Sequence, residues 1–120
     1  MHRDSVNRKT DYDTTEFKNV AWMLLARKQS SGSNMSIAVQ RFEAEGDFEL
    51  HAHDMEQFFY IAKGEIEMTI GEQTEVYREG DFVSVDRNVE HQGRNVATGE
   101  SELIVVDYWP ADSDDRLGLD

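Results

Sequence analysis

Residues 46–64 read Gly46-Asp47-Phe48-Glu49-Leu50-His51-Ala52-His53-Asp54-Met55-Glu56-Gln57-Phe58-Phe59-Tyr60-Ile61-Ala62-Lys63-Gly64. Two β-prone runs, predicted as strands over 48–53 and 57–62, flank the short turn Asp54-Met55-Glu56. Strand side chains alternate between faces, so His51 and His53, spaced i and i+2, project into one space. An antiparallel return strand lies beside the first and can carry the Gln57 side-chain carbonyl to the same face. Phe59 and Ile61 share the phase of Gln57 and are predicted to line the interior, whereas Phe58 and Tyr60 take the opposite phase.

The pattern continues outward. In Glu65-Ile66-Glu67-Met68-Thr69-Ile70 the apolar residues fall on one face and the polar ones on the other. Gly71-Glu72 follows at once, and a glycine at the first central position suits a type II′ hairpin, which needs positive φ there. Further strands are predicted at 20–26, 35–42, 73–77, 82–85, 91–96 and 101–109, and such short, regularly spaced strands predict an all-β barrel. Over 17–26 a helical stripe (Phe17, Val20, Ala21, Leu24, Leu25) competes, but the flanking β pattern favours strand. Pro110 has no amide hydrogen for a ladder and ends the last strand. The expected organisation is a flexible tail or docked arm at 1–15, one barrel over 16–111, and an acidic tail at 112–120.

At 120 residues the chain has room for one domain. Twelve Lys and Arg stand against 25 Asp and Glu, a formal charge of -13, which disfavours nucleic acid and anionic membrane surfaces as partners. The absence of cysteine removes thiolate metal sites, iron–sulfur clusters and thiol nucleophiles. No long apolar run is present, so a soluble, cytoplasmic protein is expected.

A third histidine, His91, follows the turn Asp86-Arg87-Asn88-Val89-Glu90 and begins another predicted strand. His51, His53, His91 and the Gln57 oxygen together offer a nitrogen-dominated ligand set for a divalent first-row transition metal, with open positions for water or substrate. Neutral imidazole and amide ligands accept Zn, Ni, Mn, Fe or Cu alike. Taken alone, a His-x-His pair on a strand is more often exposed or core-satisfied than a ligand pair.

The stretch from Gly46 to Gly64 resembles the first motif of the cupin superfamily. That motif has a glycine, His-x-His, three residues, Glu, six residues and Gly; here His51, His53 and Gly64 fall on their slots, Gln57 takes the Glu slot, and Gly46 lies one residue closer to His51 than the pattern asks. The second cupin motif is matched by Gly80, His91 and Asn95, with Asp86 in the place of Pro and Asn88 in the place of Gly. Fifteen residues separate Gly64 from Gly80. The resemblance implies a double-stranded β-helix, or jelly-roll barrel, with His51, His53, Gln57 and His91 as metal ligands. It also implies a homodimer paired through outer strands, where Phe58 and Tyr60 offer apolar cover.

An amide in the carboxylate slot leaves a bound cation more electrophilic, which favours Lewis-acid work. Small cupins with Glu-Gln here, as at Glu56-Gln57, include enzymes that ketonise unsaturated uronates and relatives acting on small carboxylates or polyketides. Asp107-Tyr108-Trp109-Pro110 loosely resembles the Asp-x-Phe-Ser-Pro ending of the uronate group, although Arg116 does not align with its downstream arginine. The implied function is isomerisation, ketonisation or cyclisation of a small sugar acid or keto acid. A metal dioxygenase on the same ligands, or a binding module without turnover, are the alternatives.

Among other residues, Asp107 follows the apolar run Leu103-Ile104-Val105-Val106 and can serve as acid or base beside the metal, or can cap a turn before Pro110. Arg41 and Arg94 are the candidates to pair a substrate carboxylate, or else sit among surface carboxylates. Phe59 and Trp109 are expected to line the substrate cavity. Asn95 is expected to tie down backbone, and His2 lies in the tail.

Overall fold

The computed structural model of the chain describes residues 13–14, 19–26 and 34–110. Among them are ten strands and no helix: β1 (Asp13–Thr14), β2 (Val20–Ala26), β3 (Met35–Phe42), β4 (Asp47–His51), β5 (Glu56–Lys63), β6 (Glu65–Ile70), β7 (Gln73–Arg78), β8 (Phe82–Val85), β9 (His91–Asn95) and β10 (Ser101–Tyr108). The stretch open to two readings is therefore a strand from Val20, while Phe17, His2 and the acidic tail lie outside the described residues. Asp13–Thr14, in the expected N-terminal arm, pairs with β2 at Trp22 and Ala21.

Every strand pair is antiparallel, in a six-stranded sheet ordered β1-β2-β3-β10-β5-β8 and a four-stranded sheet ordered β4-β9-β6-β7. From β3 onward the chain passes back and forth between the sheets, with only the β6–β7 hairpin staying in one. Period-2 patterning explains how the two inner faces meet. Phe42, Phe59, Ile61, Leu103 and Val105 project from the larger sheet against Phe48, Ile66 and Met68 from the smaller. Ile70 pairs with Gln73, leaving Gly71-Glu72 as a two-residue loop, and Gly71 has a φ of 59°, as the turn demands.

One local departure decides where the site forms. β4 pairs with β9 through Phe48 opposite Gly93 and His51 opposite His91, so β4 spends three residues where β9 spends two. This β-bulge leaves Glu49 and Leu50 both exposed and turns His51 to the same side as Phe48. Strict alternation along a strand over 48–53 would have sent Phe48 and His51 to opposite faces. The strand also stops at His51, so His53 enters the site from the start of the β4–β5 turn rather than from the ladder.

Candidate metal centre

The three histidines are brought together at one end of the barrel. His51 and His91 face each other across β4 and β9 with ring centroids 4.4 Å apart, and the His53 ring lies 4.6 Å from His51 and 6.0 Å from His91. One nitrogen from each ring falls within 4.8 Å of the others. Beneath them lies Phe48, whose ring is 5.6 Å from His51 and 5.9 Å from His91, and which stacks near-parallel with Phe59 at 6.5 Å. Gly93 permits this floor: a Cβ there would stand 2.6 Å from the Phe48 ring.

Ring orientation is set by the backbone. His51 Nδ1 bonds the carbonyl of Glu49, and His91 Nδ1 bonds the carbonyl of Val89 at 2.9 Å. A carbonyl oxygen can only accept, so each Nδ1 donates its proton and each neutral ring keeps its lone pair on Nε2. His91 is 2% exposed, and its Nε2 has no hydrogen-bond partner within the protein. Burial, only partly opposed by the Val89 bond, holds its pKa down to about 4, so the imidazole is neutral at neutral pH.

Gln57 and Asp107 sit opposite one another on β5 and β10. Gln57 Nε2 donates to Asp107 Oδ1 at 3.0 Å, while Gln57 Oε1 is buried with no hydrogen-bond partner within the protein. Three imidazoles within reach of one ion, two of them turned alike by backbone carbonyls, fit a divalent first-row cation, and the bare Gln57 oxygen has the neutral, accepting character of a further ligand.

The two loops that lead into His53 and His91 are tied together by Asp54, Arg87 and Asn88, of which the motif reading singled out only Asn88. Arg87 Nε and Nη2 donate to Asp54 Oδ1 at 2.9 and 2.6 Å, and Asn88 Nδ2 reaches the same oxygen at 3.2 Å. The Asn88 amide donates to the His53 carbonyl at 2.8 Å, with Asn88 in the left-handed region at φ 61°. An asparagine in a glycine slot was the sequence signal for that backbone; the Arg87–Asp54 pair had none, because their adjacency exists only once both loops are closed.

The remaining expected site residues divide. Phe59 and Trp109 are buried, Phe59 within 6.5 Å of His91, and the Trp109 indole N–H is buried without a partner. Arg41 and Arg94 do not join the histidines. Arg41 lies out of phase with the inward Phe42 and pairs with Glu100, and Arg94, exposed on the outer side of β9, bonds Glu67 at 3.0 Å. Arg94 instead lines a groove on the outer face of the smaller sheet with Asp47, Glu49, Glu67 and Gln92. Both therefore sit among carboxylates, the second of the two readings open to them, and strand phase explains why, since the inward positions on these strands are taken by Phe42 and by His91, Gly93 and Asn95. Asn95 ties down backbone as expected: it donates to the Glu43 and Gly99 carbonyls at 3.0 and 2.8 Å and accepts from Ala97 N and Ser101 Oγ.

Comparison with known proteins bears on the fold. Among solved structures, the chain is similar to the polyketide cyclase RemF from Streptomyces resistomycificus (TM-score 0.80, 14% identity, covering 96% of this chain and 83% of that one). It is also similar to KdgF from Halomonas sp. (TM-score 0.74, 13% identity, 93% and 96% covered) and to a predicted oxalate decarboxylase from Thermotoga maritima (TM-score 0.72, 19% identity, 76% and 81% covered). No curated protein sequence matches the chain. At such identities the structural likeness speaks for the fold alone, a double-stranded β-helix barrel. The family model described as "Cupin domain" matches residues 38–107, more than half of the sequence and both histidine-bearing strands, and so the chain belongs to the cupin family.

Proposed function

We propose that this cupin is a metal-dependent enzyme in which His51, His53, His91 and the Gln57 carbonyl hold one divalent first-row ion against a small oxygenated substrate. The observation that carries the reading is the bare, buried pair His91 Nε2 and Gln57 Oε1, because polar atoms are seldom left unsatisfied in a dry interior without a ligand to meet them. When bound, such an ion supplies Lewis-acid polarisation of a substrate carbonyl or carboxylate. Around it, Phe48 and Phe59 exclude water from beneath the histidines. The Trp109 indole N–H is a donor for a substrate oxygen, and the Asp107 carboxylate moves the proton in an isomerisation, ketonisation or cyclisation. With Arg41 and Arg94 engaged on outer faces, recognition of a sugar acid or keto acid falls to the cation rather than to a guanidinium. That RemF is a polyketide cyclase and the Thermotoga maritima protein a predicted oxalate decarboxylase supports small oxygenated substrates for this scaffold.

We also propose that two copies pair through the outer face of the six-stranded sheet. Seven large apolar side chains are exposed among the described residues, and five of them (Met35, Tyr60, Phe82, Ile104, Tyr108) share that face. Tyr60 stands opposite both Phe82 and Ile104, and Met35 opposite Tyr108, so the five form one patch.

A turnover assay on unsaturated uronates and 2-keto acids, run before and after chelation, tests the enzyme reading. Product formed only by the metal-loaded protein is expected. Saturable, metal-dependent binding without product would make the chain a binding module instead.

A further inference from the structure

In the proposed ligand set, backbone carbonyls orient His51 and His91, but the Gln57 amide is oriented by a side chain. A glutamine amide can turn either end toward a cation, and only the oxygen end can bind. The carboxylate of Asp107 lies 3.0 Å from Gln57 Nε2, on a residue held opposite by ladder register between β5 and β10. A carboxylate accepts and has no proton to give, so it selects the NH2 end, and the carbonyl oxygen is turned away from Asp107 into its bare, buried position.

We infer that Asp107 is a positioning residue for the fourth ligand, locking the Gln57 amide with its oxygen toward the metal, and that Asp107 is the reason position 57 carries glutamine rather than glutamate. The inference rests on the metal-binding reading above. A glutamate at 57 would set two carboxylates about a hydrogen bond apart in a site shielded from water, where like charges repel strongly. Exchanging the pair, glutamate at 57 with asparagine at 107, restores one donor and one acceptor and moves the negative charge onto the ligand itself. Residues 57 and 107 therefore act as a unit in which amide and carboxylate are interchangeable only together.

Titration of the chelator-stripped full chain with Co2+, read as affinity and as the ligand-field absorption spectrum, tests this. Asp107→Ala is expected to weaken Co2+ binding by roughly 10–100-fold, the usual cost of removing a group that orients a ligand, and to change the spectrum. Asp107→Asn, which can still accept the Gln57 hydrogen bond, is expected to lose less. The decisive comparison is a change of sign: Asp107→Asn weakens binding in the natural background and strengthens it in the Gln57→Glu background. Equal effects in both backgrounds, or an Asp107→Ala protein that is folded by circular dichroism and binds Co2+ as the natural chain does, would overturn the inference while leaving the metal site standing. A natural chain that binds no Co2+ would remove the metal site and the inference with it.

Discussion

His91 makes a sharp commitment at the residue scale. Its pKa falls from an ordinary 6.5 to about 4 because burial penalises the imidazolium. Above pH 6.5 the ring is neutral in folded and unfolded chains alike, and nothing is lost. Between about 6.5 and 4 the unfolded chain takes up a proton that the folded one refuses, so stability falls with pH by up to about 3 kcal/mol. Urea unfolding of metal-free protein from pH 7 to pH 4 is expected to show this slope, and His91→Gln is expected to flatten it. The histidines that gather at the candidate site and their spacing were legible in the sequence, because each belongs to a local pattern. The placement of Arg41 and Arg94 among carboxylates, one of the two readings open to them, was also encoded, in the phase of Phe42 and His91.

At the scale of elements, the site depends on an irregularity. The β4 bulge turns His51 inward beside Phe48, and alternation alone could not reveal it: a one-residue insertion leaves no compositional mark when both residues of the bulge, Glu49 and Leu50, face solvent. Deleting both Glu49 and Leu50 should make Phe48 and His51 neighbours, which plain alternation sends to opposite faces, and so throw His51 to the outside. Zn2+ affinity is expected to fall by more than the roughly 10–100-fold that loss of a supporting partner costs, with the β circular-dichroism signal retained. Unchanged affinity would mean that the bulge does not aim the histidine. The hairpins, by contrast, were readable, since Gly71 and the Ile66, Met68, Ile70 stripe fix turn and register together. The Asp54–Arg87–Asn88 clamp was not, because it joins loops 33 residues apart that meet only when the barrel closes.

Over the whole molecule, charge and apolar surface pull in opposite directions. Each chain carries -13, so two copies repel at long range, while the patch around Tyr60, Phe82 and Ile104 favours their contact. Sedimentation should therefore find a dimer whose dissociation weakens as salt is added, since screening removes repulsion and leaves apolar burial intact. Phe82→Glu, at a position 60% exposed, is expected to give a folded monomer of 13.8 kDa. A natural chain sedimenting as a monomer at micromolar concentration would dismiss the pairing. No helix among the described residues is long and apolar enough to cross a membrane. Both the barrel and its family were accessible from two spaced motifs, whereas the exposed apolar patch emerges only when strand order sets β3, β10, β5 and β8 side by side.

Everything proposed for this chain turns on whether a cation is held by the gathered His51, His53 and His91 with Gln57 as a further ligand. Calorimetric titration of chelator-stripped protein, prepared without a nickel column, measures this directly. One Zn2+ per chain is predicted, with binding abolished in both His51→Ala and His91→Ala; a flat titration, or equal binding by the two variants and the natural chain, would contradict the account.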